Sequence, residues 1–198
     1  MTVIAVLGNG RVGGSLALAL TRAGHEVTVA DRSPGSAADA ARTARIVINA
    51  TPGAGSLERL SALREELEGK ILVDVSNATV DGPDGLPAEL LHPGSSLAEH
   101  LQEALPDTRV VKTLNTMLYT VMTAPATLTE PPTAFLSGQD PDAKQVVRGL
   151  LADLGWQQEW LMDLGGIETA RATEAAILFV PHVIRSSGFT PFAVSIAR

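Results

Sequence analysis

One short segment constrains the fold of this chain more than any other, the glycine-rich sequence Gly8-Asn9-Gly10-Arg11-Val12-Gly13. It follows a continuous apolar run at residues 2–7, typical of a buried strand, and it opens a helical pattern at residues 12–23. In such a turn the first glycine permits a tight bend, the second lets the backbone approach a pyrophosphate, and the third allows close helix–strand packing. The helix N-terminus adds unpaired N–H groups and a positive dipole. The segment therefore predicts a dinucleotide-binding turn.

Apolar runs alternate with helical patterns along most of the chain. Strands are expected at residues 2–7, 26–30, 45–50, 70–75, 109–114 and 133–137, with a last one near 156–161. Helices are expected at residues 12–23, 37–42, 57–67, 96–105 and 140–154, and the proline- and glycine-rich stretch 78–93 is expected to be a loop. This alternation predicts an α/β fold, a doubly wound Rossmann domain with a mainly parallel sheet.

The pattern changes after residue 164. Residues 167–185 predict one long helix, which Pro181 could kink, and an apolar tail follows it. We therefore expect a dinucleotide-binding domain at 1–164 and a C-terminal helix and tail at 165–198, packed on the domain or in a dimer interface. The run Ile177-Leu178-Phe179-Val180 requires burial that one small domain leaves incomplete, so we expect a homodimer. Arg171 and Glu174, three residues apart, are expected to pair on the surface.

The composition argues against several classes of function. The 198 residues contain no cysteine, which removes disulfides, thiolate metal sites and cysteine nucleophiles. The net charge of -7 argues against general binding to the nucleic-acid backbone. No apolar run reaches the roughly 20 residues that cross a bilayer, no signal peptide is visible, and the four histidines lack metal-ligand spacing. We expect a cytoplasmic protein with no metal and no nucleic-acid or membrane partner.

The residues after the second predicted strand bear on the choice between NAD and NADP. Asp31 lies 18 residues after Gly13, where an acid can bind the ribose 2′-hydroxyl of NAD. Arg32 and Ser33 can instead pair with the 2′-phosphate of NADP. Two donors against one acid favour NADP over NAD. The alternative for Arg32 is a solvated surface charge.

Later strand ends add further candidates, because ligands of parallel sheets bind outside the carboxyl ends of the strands. Thr51 and Asn77 carry polar groups that can orient a nicotinamide carboxamide, and Pro52 can cover one ring face. Thr51 and Asn77 can equally well close turns.

The chain resembles the F420-dependent NADP oxidoreductases over nearly its whole length. The resemblance rests on the glycine-rich turn and on blocks such as Gly69-Lys70-Ile71-Leu72-Val73-Asp74 and Val110-Val111-Lys112-Thr113-Leu114-Asn115-Thr116. It implies a small Rossmann protein that passes hydride between NADP(H) and a deazaflavin. Family members often carry serine where this chain has Asp31, which keeps NAD as an alternative. The Asn115-Thr116 pair is similar to the cytosolic domains of six-transmembrane ferric reductases, which keeps flavin as an alternative to F420.

The function expected from these features is hydride transfer between NADP(H) and F420 or a flavin. The second planar cofactor is expected beside Asn115, Thr116 and Met117. Direct transfer between ring carbons needs no side-chain nucleophile, so no catalytic residue is named. Two alternatives remain, a non-catalytic NADP(H)-binding regulatory protein and a dehydrogenase of a small carbonyl substrate. A second-ligand site plugged by Tyr119 or by the tail would favour the regulatory protein.

Overall fold

A seven-stranded sheet organises residues 1–197, the part of the chain that this computed structural model describes; Arg198 of the predicted tail lies outside it. The strands are β1 Val3–Leu7, β2 Glu26–Ala30, β3 Ile46–Asn49, β4 Ile71–Asp74, β5 Thr79–Asp81, β6 Pro87–Leu90, β7 Arg109–Thr113, β8 Ala134–Ser137 and β9 Leu161–Gly165. The large sheet has the order β2-β1-β3-β4-β7-β8-β9, and β5 and β6 form a separate antiparallel pair.

The pairing pattern confirms the predicted Rossmann-type, mainly parallel sheet. Neighbouring strands of the large sheet run parallel except β7 and β8, which are antiparallel. Strand β1 pairs with β2 on one side, Val3 beside Glu26, and with β3 on the other, Ile4 beside Ile46. The order in which successive strands are added to the sheet therefore reverses between β1 and β3. A ligand crevice is expected outside the carboxyl ends of these two strands.

Helices cover both faces of the sheet. They are α1 Arg11–Arg22, α2 Ser36–Thr43, α3 Ser56–Ser61, α4 Arg64–Leu67, α5 Leu97–Ala104, α6 Tyr119–Met122, α7 Pro141–Asp153, α8 Ala170–Ala175 and α9 Val180–Ser187. Short 3-10 turns lie at Pro125–Thr127, Gln158–Trp160, Ile167–Thr169 and Ala176–Phe179. The two longest helices begin close to where their sequences predict. Helix α1 begins after its N-cap Gly10 in the glycine-rich segment, and α7 begins after its N-cap Asp140, whose carboxylate accepts the Ala143 N–H at 2.8 Å.

The hydrophobic core lies in two layers, because successive strand residues point to opposite faces. Ile4 and Val6 pack with Leu16 on one face, whereas Ala5 and Leu7 belong to the layer on the other face. All five side chains are at most 3 % exposed. No helix among residues 1–197 combines the length and the apolar character needed to cross a membrane.

Two local predictions are wrong. The stretch 78–93 is not simply a loop, because β5 and β6 pair there with Val80 opposite Glu89, and Gly85 turns the chain at a φ of +72°. Pro87 is tolerated at the start of β6 because this two-stranded sheet has free edges. The single helix expected at 57–67 is split into α3 and α4, since Leu63 leaves the helical region with φ of −104° and ψ of 20°.

The long helix predicted for residues 167–185 is interrupted. The chain passes from α8 through the 3-10 turn Ala176–Phe179 into α9. Pro181 has no N–H to donate to the carbonyl of Ile177, so a regular α-helix loses a hydrogen bond there. Phe179 is 64 % exposed, so the complete burial expected for this apolar run is not reached within one chain.

Candidate functional site

A cleft of about 1290 Å³ opens at the carboxyl ends of five strands. Its lining residues follow the order of the sheet: Arg32 after β2, Gly8 after β1, Thr51 after β3, Asn77 after β4 and Asn115 after β7. Four strand spacings of about 4.8 Å separate the first position from the last, about 19 Å in all. The cleft therefore runs across the strands as a long groove, a shape that suits an extended ligand.

The glycine-rich turn forms the floor of the cleft beside β1. Gly8 adopts a φ of +108°, and a Cβ on it would lie 2.7 Å from the carbonyl oxygen of Ala50. A Cβ on Gly13 would lie only 1.9 Å from the carbonyl oxygen of Gly8, so the helix packs directly on the turn. A Cβ on Gly10, in contrast, would meet nothing within 4 Å. Gly8 and Gly13 are therefore required for close packing within the protein, whereas the absence of a side chain at Gly10 leaves its backbone accessible to a ligand.

The N-terminus of α1 has the properties of a phosphate site. Its N-cap residue is Gly10, which offers no side chain to cap the helix. The first N–H groups of the twelve-residue helix are therefore left to water or a ligand, and the helix dipole adds positive potential. Asn9, Arg11 and Val12 also line the cleft around this point. These observations fit the pyrophosphate of a dinucleotide, which a helix N-terminus and an open glycine backbone bind together.

The acid after β2 is held by its own turn. The carboxylate of Asp31 accepts the Ser33 N–H at 2.9 Å, and the Asp31 N–H donates to Ser36 Oγ at 3.1 Å. The hydrogen bonds from Ser33 keep the pKa of Asp31 below its ordinary value, so Asp31 carries a negative charge at neutral pH. Asp31 and Arg32 line the cleft, whereas Ser33 does not. The two groups that point to NAD and to NADP are therefore both present at this end.

The turn after β3 is fixed by internal hydrogen bonds. Thr51 Oγ1 donates to Asn49 Oδ1 at 2.6 Å, which is the turn-closing role that the sequence left open. Arg59, on α3, donates to the carbonyl oxygens of Pro52 at 2.5 Å and Ala54 at 3.2 Å. Arg59 lines the cleft but was not predicted, because one arginine on a helical pattern carries no distinguishing signal. Thr51 and Pro52 line the cleft as expected candidates.

The strand ends of β4 and β7 are joined by an amide pair. Asn77 Nδ2 donates to the carbonyl oxygen of Asn115 at 2.8 Å, and Asn115 Nδ2 donates to Asn77 Oδ1 at 3.0 Å. Asn77 is half-buried and Asn115 buried, and both line the cleft. This pair holds the two strand ends at a fixed separation, and it leaves one N–H of each side-chain amide without a partner in the pair.

Beyond Asn115 the lining of the cleft becomes apolar, and this part of the cleft is called the apolar chamber below. Its lining side chains come from the segment after β7 and from the C-terminal region: Met117, Leu118, Tyr119, Met122, Ile177, Val180, Ile184, Phe189 and Phe192. The tail is tied to the segment after β7, because Leu118 N–H donates to the Phe192 carbonyl at 2.9 Å and Val194 N–H to the Thr116 carbonyl at 3.0 Å. Only Met117 of this set was predicted to lie beside the second cofactor. The other residues are apolar and belong to no local sequence motif that indicates a binding site. The tail lines the cleft without filling it.

A fully buried ion cluster lies beneath the cleft. Lys112 Nζ contacts Asp74 Oδ2 at 2.7 Å, Glu174 Oε1 at 2.8 Å and the Ser76 carbonyl oxygen at 2.5 Å. Asn49 Nδ2 also donates to Asp74, at 2.8 Å. The cluster therefore joins β4, β7 and α8, so it fixes the C-terminal region against the strand ends that form the cleft.

The ion cluster sets the charge of Lys112. Burial opposes a charged amine, but the carboxylates of Asp74 and Glu174 more than compensate and raise the pKa of Lys112 above its ordinary value. The predicted surface pair of Arg171 and Glu174 is wrong. Glu174 is 4 % exposed and also accepts the first N–H groups of α5, whereas Arg171 pairs with Glu99. Helical spacing alone did not show that α8 presents Glu174 to the core and Arg171 to the surface.

Three predicted site residues do not line the cleft: Gly13, Ser33 and Thr116. Gly13 lies beneath the turn, Ser33 holds Asp31, and Thr116 is buried and holds the tail through its carbonyl group. Across the described residues, 1–197, no cluster of three potential metal ligands occurs.

Comparison with known proteins agrees with this geometry. The family model described as "NADP oxidoreductase coenzyme F420-dependent" matches residues 3–54. A solved structure from Arthrobacter sp. FB24, provisionally assigned as an F420-dependent NADP reductase, is 38% identical over 100% of both chains with a TM-score of 0.91. The F420-dependent NADP reductase of Methanocaldococcus jannaschii is 30% identical over 140 residues, which cover 69% of this chain and 60% of that protein.

A mammalian relative extends the comparison. The metalloreductase STEAP3 of Rattus norvegicus is 29% identical over 188 residues, 87% of this chain but only 36% of that protein. The chain thus spans less than two thirds of the length of these two curated relatives. The full-length match to the Arthrobacter protein shows that the chain belongs to the family of F420-dependent NADP oxidoreductases.

Proposed function

We propose that this protein is an NADPH-dependent reductase that passes hydride to a deazaflavin or a flavin. The observation that carries the proposal is the continuity of the cleft. The glycine-rich turn at β1 is followed by Asn77 two strand ends later, by Asn115 three strand ends later, and then by the apolar chamber. A dinucleotide across the strands would therefore end beside a chamber suited to a second planar ring.

Each part of the cleft has a defined task in this proposal. The open backbone of Gly10 and the N-terminus of α1 hold the pyrophosphate, and Arg32 meets the 2′-phosphate. Asp31, negatively charged nearby, weakens this preference. Thr51, Pro52 and the Asn77 amide border the position of the nicotinamide. Without the contact of Arg32 with the 2′-phosphate, NADH would serve as well as NADPH.

The chemistry requires positioning more than acid–base catalysis. Bound NADPH supplies a hydride, which with one proton from solvent reduces the acceptor. The protein contributes by holding the two rings in contact and by excluding water. Met117 and Met122 are at most 8 % exposed, and they give the chamber an apolar wall of adaptable side chains. The relatives named for F420 and for metal reduction make a hydride or electron acceptor the natural second ligand.

The regulatory alternative predicts a plugged second site. Tyr119 and Phe192 line the open cleft of about 1290 Å³, as Phe189 and Ile184 do. This observation favours an enzyme over a sensor that binds NADP(H) without turnover.

The direct test is NADPH oxidation by the purified protein in parallel reactions with F420, with FMN and with no acceptor. Turnover in either acceptor reaction, above the control, supports the proposal. NADPH binding without turnover in any reaction would refute the reductase activity and leave the regulatory protein. A third set with small aldehydes and ketones tests the carbonyl dehydrogenase.

The assembly and location of the enzyme form part of the same proposal. We place it in the cytoplasm as a homodimer, with residues 1–164 as the dinucleotide-binding domain and 165–198 as the C-terminal extension. Exposed apolar side chains support the dimer: Val80, Leu91 and Phe179 are 47 %, 41 % and 64 % exposed, and β6, which precedes Leu91, packs beside the Ala176–Phe179 turn. Light scattering of wild-type protein and of a Phe179→Asp variant tests this; a monomer in both would refute the dimer.

A further inference from the structure

Arg11 lies between the glycine-rich turn and the apolar chamber. It is the first residue of α1, it is exposed, and it lines the cleft. Its guanidinium carbon stands 5.6 Å from the centre of the Tyr119 ring. Tyr119 begins α6 and belongs to the chamber wall. The side chain of Arg11 therefore extends from the β1 end of the cleft towards the β7 end, where the second ligand is expected.

Of the cleft-lining cations in the described chain, Arg11 is the one placed to meet that second ligand. Three arginines line the cleft, Arg11, Arg32 and Arg59. Arg32 follows β2, at the opposite end of the groove. Arg59 is occupied by carbonyl oxygens of the turn after β3. No carboxylate among residues 1–197 pairs with Arg11, whose one partner is the face of Tyr119.

The contact with Tyr119 orients the guanidinium without neutralising it. A cation–π contact uses the ring face of the aromatic residue and leaves the charge of the guanidinium in place. The N–H groups at the edge of the guanidinium plane stay available, and arginine binds phosphate through two such groups at once. An anionic ligand with an apolar ring would satisfy both features, the ring in the chamber and the anion at Arg11.

Resting on the proposed reductase function, we infer that Arg11 binds the phosphate on the ribityl chain of the acceptor, while the acceptor ring lies in the apolar chamber. FMN and F420 share this phosphate. Riboflavin and the F420 chromophore, a didemethyl-8-hydroxy-5-deazariboflavin, carry the same rings and ribityl chains without it. The chromophore also lacks the acidic tail of F420, so FMN and riboflavin are the pair that isolates the phosphate. Arg11 would thus determine specificity for phosphorylated acceptors over their dephosphorylated forms.

The experiment measures binding of these four compounds to the protein saturated with NADP⁺, which makes turnover unnecessary. Wild-type protein is expected to bind FMN at least about tenfold more tightly than riboflavin, and F420 more tightly than its dephosphorylated chromophore, as one charge-assisted hydrogen-bonded contact implies. In Arg11→Met, the acceptor with the phosphate is expected to bind no more tightly than the form without it. The affinity for riboflavin or for the F420 chromophore should be unchanged. Arg11→Lys is expected to keep part of it.

A matched control lies at the other end of the same helix. Arg22 is exposed and far from the cleft lining, so Arg22→Met removes the same charge without touching the site and should leave the ratio intact. Increasing salt should lower the wild-type ratio and leave that of Arg11→Met unchanged.

Two results would overturn the inference. One is an unchanged phosphate ratio in Arg11→Met; if NADP⁺ affinity is lost at the same time, Arg11 is assigned to the dinucleotide pyrophosphate. The other is the absence of binding by all four compounds. Tight, Arg11-dependent binding without NADPH oxidation would refute the reductase activity and leave the binding role of Arg11 standing, so the two failures are distinct.

Discussion

Replacement of Lys112 by methionine tests the physical basis of the buried cluster. The lysine side chain is fully buried, and its amine contacts Asp74 at 2.7 Å and Glu174 at 2.8 Å. Methionine has a similar length and no charge, so the variant keeps most of the packing and leaves two buried carboxylates without their cation. The backbone and side-chain donors around them, such as the α5 N–H groups on Glu174, remain.

The variant should have a lower free energy of unfolding, because two buried carboxylates lose the cation that compensates their charge. Removing one partner of a buried ion pair typically destabilises a protein by about 3–5 kcal/mol. For a chain of 198 residues, each kcal/mol lowers Tm by roughly 2–4 °C, so Lys112→Met should melt roughly 6–20 °C below the wild type. Adding Glu174→Gln removes one of the two uncompensated charges, so the double variant should be more stable than two independent losses predict.

The contribution of Lys112 to the free energy of unfolding should decrease at high pH. The pKa of Lys112 is raised in the folded state, so its contribution is fully present below the ordinary lysine pKa of about 10.4. It is lost as pH rises through the higher folded-state pKa. The difference in unfolding free energy between wild type and Lys112→Met should therefore be constant between neutral and mildly alkaline pH and should shrink only above that range.

Urea unfolding of the wild type, of Lys112→Met and of Lys144→Met measures these differences. Lys144 is also buried and pairs with Asp163 at 2.8 Å, but Asp163 is partly exposed and water can solvate its carboxylate, so this matched control should lose less than Lys112→Met. Equal losses in the two lysine variants, or exact additivity with Glu174→Gln, would refute the view that the cluster is a coupled and desolvated unit.

Further predictions concern the cleft itself. Gly13→Ala should lower Tm, because its Cβ would lie 1.9 Å from the Gly8 carbonyl oxygen; an unchanged melting curve would contradict the close packing. Arg32→Ala should weaken NADPH binding more than NADH binding in fluorescence titrations, and equal losses would remove the 2′-phosphate role. Asp31→Asn should shift the same ratio towards NADPH by removing a negative charge, and a shift towards NADH would contradict this. Phe192→Ala should raise the KM for the acceptor and leave the Kd of NADPH unchanged, since Phe192 lines the chamber; the reverse pattern would contradict the placement of the acceptor.

Local chemistry explains which parts of the fold were predictable. Continuous apolar runs such as that in β3 indicate strands buried on both faces, and the glycine-rich turn fixes where the first strand meets its helix. The hairpin of β5 and β6 was missed because its turn residues, including Gly85 and Pro87, are also typical of an irregular loop. The break between α3 and α4 was missed because the leucine spacing continues through Leu63.

The candidate site also contains residues that the sequence could predict and residues that only the tertiary structure shows. Residues in local motifs, from Gly8 to Asn115, could be named because each follows a strand that ends at the cleft. The chamber residues of the tail, such as Phe192, come from the far end of the chain, and only tertiary packing brings them beside Tyr119. A charge within an apolar strand, as at Lys112, is a signal that could have indicated the buried cluster, because such a charge needs a partner.

The most direct test of the central claim is the affinity for NADPH of the wild type, Gly10→Val and Gly14→Val. Gly14 lies one turn further along α1 and outside the cleft lining, and a Cβ on either glycine would meet nothing within 4 Å of the protein. Both variants should therefore fold, as thermal melting can verify. Gly10→Val should lose at least about 100-fold in affinity, because its side chain would occupy the position proposed for the pyrophosphate, while Gly14→Val should bind nearly as the wild type does. NADPH affinity retained by a folded Gly10→Val variant would contradict the dinucleotide site.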